Sequence, residues 1–435
     1  MPAPAPRRFH VETLGCPKNA VDSDKVVASL LADGMVAAEG VGDADLVVVN
    51  TCAFVESARR ESIEVALALA DAKRPGAKLV VTGCLAERYG GELAAAMPEA
   101  DAVVGFGGAG ELAQVVLRRR PSGVRDLLEL PRPAPRAPWA YLKVAEGCDR
   151  ACAFCAIPSF RGAQRSRPPD RVEAEARSLV ERGARELVLV AQDLAWYGRD
   201  AGEPGALVPL LHRLDALAPL GLDRIRLLYL YPSEVRDPLV ATMLELPTVV
   251  PYFDLSLQHA AAPLLRRMRR WGSGDRFLEV IGRIRAERPG AAFRSSFIVG
   301  FPGETEADHQ ELLGFLEAAR LDWAGFFPFS KEEGTPAAAL GDEVPGDIAA
   351  ERLRECSEVQ DPITAAARAA LVGRTVDVLV DSAGDGAAVG RTYREAPEID
   401  GVVRVAGAPG ASWSPGALVR ATVTGAAGPD LEARA

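Results

Sequence analysis

Hydrophobic positions follow three different rhythms along this chain. From residue 7 to about residue 125, short apolar runs alternate with stretches of helical spacing. Phe9–Thr13, Leu46–Val49 and Lys78–Val81 have the length and apolar content of parallel strands covered on both faces. Between them, Ser23 to Ala32 and Ser57 to Ala72 repeat apolar residues at helical intervals. This alternation predicts a doubly wound α/β domain, with its functional crevice at the carboxyl ends of the strands.

The second rhythm repeats a strand–helix pattern six times over residues 139–370. The predicted strands are Ala140–Val144, Leu187–Ala191, Ile225–Tyr229, Phe253–Leu257, Phe293–Val299 and Ala324–Phe329. Helical periods fill the gaps, as in Val172–Arg182, Asp275–Arg288 and Glu306–Arg320. Six βα units predict a partial barrel, again with its chemistry at the carboxyl ends. Pro131, Pro133, Pro135 and Pro138 mark residues 126–138 as a linker before it, since no helix or central strand tolerates that density. The third rhythm begins at residue 371. Period-two alternation in Thr375–Asp381 and Ala417–Thr424, broken by glycine and proline, predicts a small antiparallel barrel of about five strands.

Composition agrees with this division. At roughly 150 residues per domain, 435 residues suggest about three domains. A chain that is 48% hydrophobic and 25% charged belongs with globular proteins. Its formal net charge of −10 argues against a broad basic face for nucleic acid. The Pro/Ala-rich start shows no secretory signal, and no apolar run reaches the roughly 18 residues of a membrane span. The expected location is the cytoplasm. Seven cysteines are too few for a disulfide scaffold there, which turns attention to metal.

Cys148, Cys152 and Cys155 are spaced C-x3-C-x2-C directly after the first barrel strand. Thiolates this close in one loop can share an iron–sulfur cubane and leave its fourth iron open for a ligand. Zinc with a histidine ligand fits poorly, because His10, His212, His259 and His309 all lie far away in sequence. Three more cysteines, Cys16, Cys52 and Cys84, each follow a predicted strand of the first domain. They are either unrelated buried thiols or, as three strand ends in one sheet favour, a second three-thiolate site. Cys356 sits alone in helical sequence as a structural thiol.

Weaker signals surround the barrel mouth. Gly300 and Gly303 end the fifth barrel strand and permit close approach of a flat ligand, while Glu304 is placed to cap the next helix. Gln192 and Gln258–His259 put polar groups at two other strand ends. Phe160 to Arg167 is a local basic stretch, either a solvated loop or an anchor for an anion.

The Cys148–Cys155 motif, with aromatic Phe154 before its last cysteine, resembles the radical S-adenosylmethionine (SAM) signature. Together with Cys16, Cys52, Cys84 and the terminal small barrel, the layout resembles the methylthiotransferases over essentially the whole chain. Within that family, Gly15-Cys16-Pro17-Lys18-Asn19, Leu257-Gln258-His259 and the acidic stretch Tyr393 to Gly401 are similar to the RimO-type group, which modifies an aspartate of ribosomal protein S-twelve. Ser256 departs from that group's usual proline.

The resemblance implies an N-terminal methylthiotransferase domain (7–125), a radical SAM barrel (139–370) and a TRAM domain (371–435). It implies two 4Fe-4S clusters, one on Cys148, Cys152 and Cys155 with SAM, and one on Cys16, Cys52 and Cys84. Phe154, Gln192, Gly300, Gly303 and Glu304 are then expected around SAM. The implied partners are the ribosomal protein, free or in the ribosome, with a low-potential electron donor and a sulfur donor. From Val372 onward eight acidic residues outnumber six arginines, so the tail suits a basic protein better than an RNA. Transfer RNA adenosine as substrate, or a non-catalytic iron–sulfur sensor that binds the ribosome, are the competing expectations.

Overall fold

The structure is a computed structural model, which describes residues 6–117, 127–384, 386–408 and 411–435. The boundary expected at residues 125 and 126 lies outside them.

The first domain is a five-stranded parallel sheet of Arg8–Thr13 (β1), Val36–Ala37 (β2), Leu46–Thr51 (β3), Lys78–Gly83 (β4) and Ala102–Val104 (β5). Its order is β2-β1-β3-β4-β5. Every residue of β3 is buried, as its Val-rich run requires of a central strand. Helix Pro17–Ala32 (α1) covers one face, packing Val26, Val27 and Leu30 against Phe9, Leu46 and Val48. Helices Glu56–Ala72 (α2) and Cys84–Ala96 (α3) cover the other through Ala66, Leu85 and Leu93. The sheet is therefore doubly wound. Strand order reverses between β1 and β3, which opens the crevice where those two strands end. The edge strands β2 and β5 are too short for any periodicity and left no mark in the sequence.

The barrel begins with Trp139–Lys143 (β6). A two-stranded ribbon follows, Ala145–Glu146 (β7) with Arg165–Ser166 (β8), and then Glu186–Val190 (β9), Arg224–Leu230 (β10), Val249–Gln258 (β11), Ala292–Val299 (β12) and Trp323–Pro328 (β13). Six parallel strands stand in the order β13-β12-β11-β10-β9-β6, open at both edges. Alternate residues face opposite ways. Leu187, Leu189, Leu227 and Phe253 join the helices outside. Tyr141, Val188, Val190, Leu228, Tyr252 and Trp323 form an inner cluster with Val21 of α1 and Ala396 of the tail. Parts of the first and third domains thus fill the space that a closed barrel gives to its own side chains.

The tail closes into a barrel of Thr375–Gly384 (β14), Ala387–Arg391 (β15), Val403–Ala406 (β16), Leu418–Ala427 (β17) and Asp430–Arg434 (β18). It is not wholly antiparallel. β16 and β18 run parallel and complete the closure. The acidic stretch from Tyr393 to Gly401 turns inward. Tyr141 donates to Glu398 Oε2 at 3.1 Å, Tyr252 donates to Asp400 Oδ2 at 2.6 Å, and Arg368 pairs with Glu395. These acids tether the tail to the six-stranded barrel, Glu395 fully buried and Glu398 still exposed.

Glu186 is the buried electrostatic joint between barrel and tail. Fully inaccessible, it accepts from Arg226 Nε at 2.7 Å and from Arg391 Nη1 at 2.7 Å. Burial works against its charge, yet Arg391 and Arg226 bring its carboxyl down to about 2. Glu186→Gln leaves Arg226 without a carboxylate and Arg391 with Asp381 alone, at an expected cost of about 3–5 kcal/mol. Urea unfolding should show a lower midpoint, and limited proteolysis should cut the tail barrel first.

Candidate functional site

The barrel's cysteines sit in the long loop that the β7–β8 ribbon pinches off. Gly147 opens it at φ +77°, and a Cβ there would lie 2.0 Å from Ala163 O, so only glycine lets the loop return on itself. Cys148 N donates to Gly162 O at 3.1 Å, Cys155 N to Cys152 O at 3.2 Å, and Ala153 N to Met268 O at 2.9 Å. Arg150 N donates to Cys148 Sγ at 3.4 Å and Arg270 Nη1 to Cys152 Sγ at 3.4 Å. Both guanidinium groups stack on Tyr231, and Asp193 fixes Arg150 Nε at 2.7 Å. Burial pushes the Cys148 thiol up to about 11 and Cys155 up to about 12, neighbouring thiolates adding to each rise.

In the first domain Cys16 ends the turn after β1, Cys52 follows β3, and Cys84 opens α3 directly after β4. Two of these strand ends are the switch point of the sheet. Gly15, at φ +93°, lets two of the loops touch. A Cβ on it would lie 2.7 Å from Cys52 Cβ and 2.9 Å from its Sγ. Asn19 braces the site by donating to Leu14 O at 2.9 Å and Thr51 O at 3.0 Å. Asn50 reaches Asn19 O, and Ser62 holds both backbone groups of Cys52. Burial pushes Cys52 up to about 12, with Cys16 and Cys84 both contributing. Cys84 rises for the same reason, although Arg161 opposes it. Cys16 moves the other way. Burial would raise it, but Lys18, Arg161 and backbone N–H groups together bring it below its ordinary value.

Arg161 joins the two sites. It ends the short helix Ile157–Arg161 that follows Cys155, and Phe160 of that helix is buried in the first domain's core. Its guanidinium donates to Asp22 Oδ2 and Glu146 Oε2 at 2.9 Å each, Asn19 Oδ1 at 2.6 Å and Cys84 Sγ at 3.0 Å. Lys143 Nζ meets Asp22 at 2.6 Å and also pairs with Glu146. Of the two readings of the basic stretch, the anchor holds for Arg161 and for Arg167, which is buried against Glu175 at 2.9 Å. The sequence reading missed Asn19, Asn50, Ser62 and Asp22. Their partners lie far off in sequence, as Thr51 does for Asn19 and Lys143 and Arg161 do for Asp22.

Other expected residues fall as follows. Phe154 is half-buried against the barrel core. Gln192 Nε2 donates to Glu146 Oε1 at 2.5 Å, which places it beside Arg161. Glu304 does not cap the next helix. Its carboxylate accepts from Gly300 N and from Phe301 N at 3.2 Å, and Thr305 forms the capping box with Asp308. A Cβ on Gly300 would lie 2.7 Å from Ala349 Cβ and one on Gly303 2.6 Å from Arg267 Cζ, so protein already occupies the space these glycines leave. His259 and His309 face Glu304, and none of the four histidines bonds a cysteine among the described residues. Cys356 is buried.

All seven cysteines are free thiols. Among the described residues no three Cys, His, Asp or Glu side chains converge tightly enough to hold one metal ion. A 560 Å³ cavity bordered by Arg294, Trp323, Gln360 and Asp400 contains none of the cysteines. No helix among the described residues is long and apolar enough to cross a membrane.

Comparison with known proteins defines the class first. Residues 142–316 match the radical SAM superfamily, residues 8–105 the uncharacterized protein family UPF0004, and residues 372–435 the TRAM domain. The radical SAM methyltransferase TsrM of Kitasatospora setae, solved with cobalamin and a 4Fe-4S cluster, shares the fold at 15% identity. Its TM-score is 0.56 over 76% of this chain and 77% of that one. The "Ribosomal protein uS12 methylthiotransferase RimO" of Salinispora tropica is 44% identical over 99% of this chain and 96% of its own length. The protein of the same name from Anaeromyxobacter sp. (strain K) is 43% identical over 98% of this chain and 93% of its own. The chain belongs to the RimO family of radical SAM methylthiotransferases.

The thiol shifts predict an order of reactivity in metal-free protein. A lowered pKa means more thiolate at pH 8, so iodoacetamide should modify Cys16 before Cys52, Cys84, Cys148 and Cys155. Peptide mass spectrometry over time reads this order. Arg161→Met should slow Cys16 severalfold at that pH.

Proposed function

We propose that this chain is an enzyme that adds a methylthio group to the β-carbon of an aspartate in small-subunit ribosomal protein uS12. One observation carries the reading furthest: two separate sets of three free cysteines, each at parallel-strand ends, are joined through a single arginine. Whole-length similarity to RimO proteins supports the same choice.

The donor sets fit 4Fe-4S clusters. Each offers three unpaired thiols on a rigid backbone, leaving one iron position without a protein ligand. Clusters on both sets, with SAM at the barrel set and a sulfide at the other, would supply when bound the one-electron cleavage of SAM to methionine and a 5′-deoxyadenosyl radical able to take the aspartate's β-hydrogen, and a sulfur, methylated by a second SAM, for the resulting β-carbon radical to take up. The remaining work belongs to the protein. Cys148, Cys152 and Cys155 hold the barrel cluster, and Arg150 and Arg270 donate to its sulfurs from the mouth side. Cys16, Cys52 and Cys84 hold the other, braced by Asn19 and Ser62. Arg161 and Lys143 keep Glu146 ionised, down to about 2 despite burial, so that Gln192 is held at the strand end beside the cysteine loop. Phe154 contributes an apolar wall near SAM. Gly300, Gly303 and Glu304 shape the next turn, acting on the pocket through backbone position. The reaction draws on a low-potential electron donor and a sulfur donor, and its substrate places it in the cytoplasm.

Anaerobic reconstitution should load about eight irons per chain, and the triple variant Cys148→Ala, Cys152→Ala, Cys155→Ala should keep about half. Zinc alone, or a single cluster indifferent to changes at Cys16, Cys52 and Cys84, would exclude two clusters. Mass spectrometry after offering a uS12 loop peptide beside transfer RNA should find the added mass on the peptide. Modification of the RNA alone would overturn the substrate.

A further inference from the structure

The reaction above needs its target carbon between the two cysteine sets. One buried cation beside the first cysteine set, already seen to favour the Cys16 thiolate, pairs with no carboxylate among the described residues. Lys18 is the second residue of α1, two positions after Cys16, and is only 8% exposed. Its ammonium lies 3.5 Å from the centroid of the Tyr229 ring, near the carboxyl end of β10. Lys18 thus spans from the first domain's cysteine crevice to the barrel mouth. Among the described residues its Nζ makes no hydrogen bond and no ion pair, and the Tyr229 hydroxyl makes no hydrogen bond either. Tyr229 also holds φ +64°, a conformation uncommon for a bulky residue and concentrated at functional sites.

Other buried cations in this chain differ. Lys25 meets Glu175, Lys143 meets Asp22, Arg161 meets Asp22 and Glu146, and Arg226 and Arg391 share Glu186. Acids around Lys18 are already engaged. Glu146 and Asp22 are held by Lys143 and Arg161, and Asp254 accepts from Tyr229 N and pairs with Arg294 at 3.0 Å. An aromatic face offsets only part of the cost of burying an ammonium. The Cys16 thiolate beside Lys18 belongs to the first cysteine set, and no carboxylate among the described residues pairs with Lys18.

We propose that Lys18, with the Tyr229 hydroxyl, binds the carboxylate of the side chain to be modified. This rests on the aspartate reading and makes Lys18 the residue that selects for it. The carboxylate is attached directly to the β-carbon, so one ion pair at Lys18 fixes that carbon between the cysteine sets. An adenine ring carries no such anion. Neutral asparagine, the nearest isostere, would leave the buried ammonium unpaired.

The test is equilibrium binding to the iron-loaded protein, read by fluorescence anisotropy. The probes are a labelled uS12 loop peptide and the same peptide with asparagine at the target position. Wild-type protein should prefer the aspartate peptide at least about tenfold. Lys18→Met should bring the ratio close to one by weakening the aspartate peptide alone, at unchanged iron content, and Lys18→Arg should restore part of it. Wild-type protein that modifies the peptide but binds both forms equally overturns the assignment without any variant. So does Lys18→Met with the wild-type ratio. Wild-type protein that ignores both peptides and modifies transfer RNA overturns the aspartate reading itself, and Lys18 falls with it.

Discussion

A single buried guanidinium holds the arrangement together. Arg161 arises from the barrel's cysteine loop, yet its donors are distributed over Asp22, Asn19 and Cys84 of the first domain and Glu146 of its own. A planar fork with fixed donor directions is stringent about where its acceptors stand. Satisfying all of them sets the distance and the angle between two domains that share no sheet. A lysine would supply the charge without that geometry. The same group places positive charge beside thiols that must give up protons, so structural joint and electrostatic support are one residue.

The other contacts between domains follow the same logic of buried ions with complete partners. Glu186 binds the tail through Arg391, and Lys25 reaches Glu175 on the barrel. Such pairs add little net stability compared with apolar packing, but a misplaced partner is costly, so they specify arrangement more than they strengthen it. Lys18 differs from these cations in facing an aromatic ring and a cysteine rather than a carboxylate.

Much of this was legible in the sequence because it is local. Strand periods and the C-x3-C-x2-C spacing lie within short windows, and three strands ending in cysteine follow from counting along the chain. The two edge strands were too short to show a period. The parallel β16–β18 pair was hidden because direction within a closed barrel depends on the whole circuit. Glu304 misled because Gly-Glu-Thr contains two plausible caps, and only the turn's geometry turns the glutamate back to its own backbone. Arg161 looked like one of several loop arginines. Its partners are distant in sequence, and no window contains them.

The inner face of the barrel has a consequence for how the protein is made. Val21 and Ala396, from near opposite ends of the chain, meet in one apolar cluster inside the six-stranded sheet. A ribosome releases the first domain early, but its α1 has no lumen to enter until the strands from β6 to β13 exist. The lumen is then sealed only when the tail segment emerges. The last tenth of the polypeptide, which carries Ala396, therefore decides when this apolar cluster is complete.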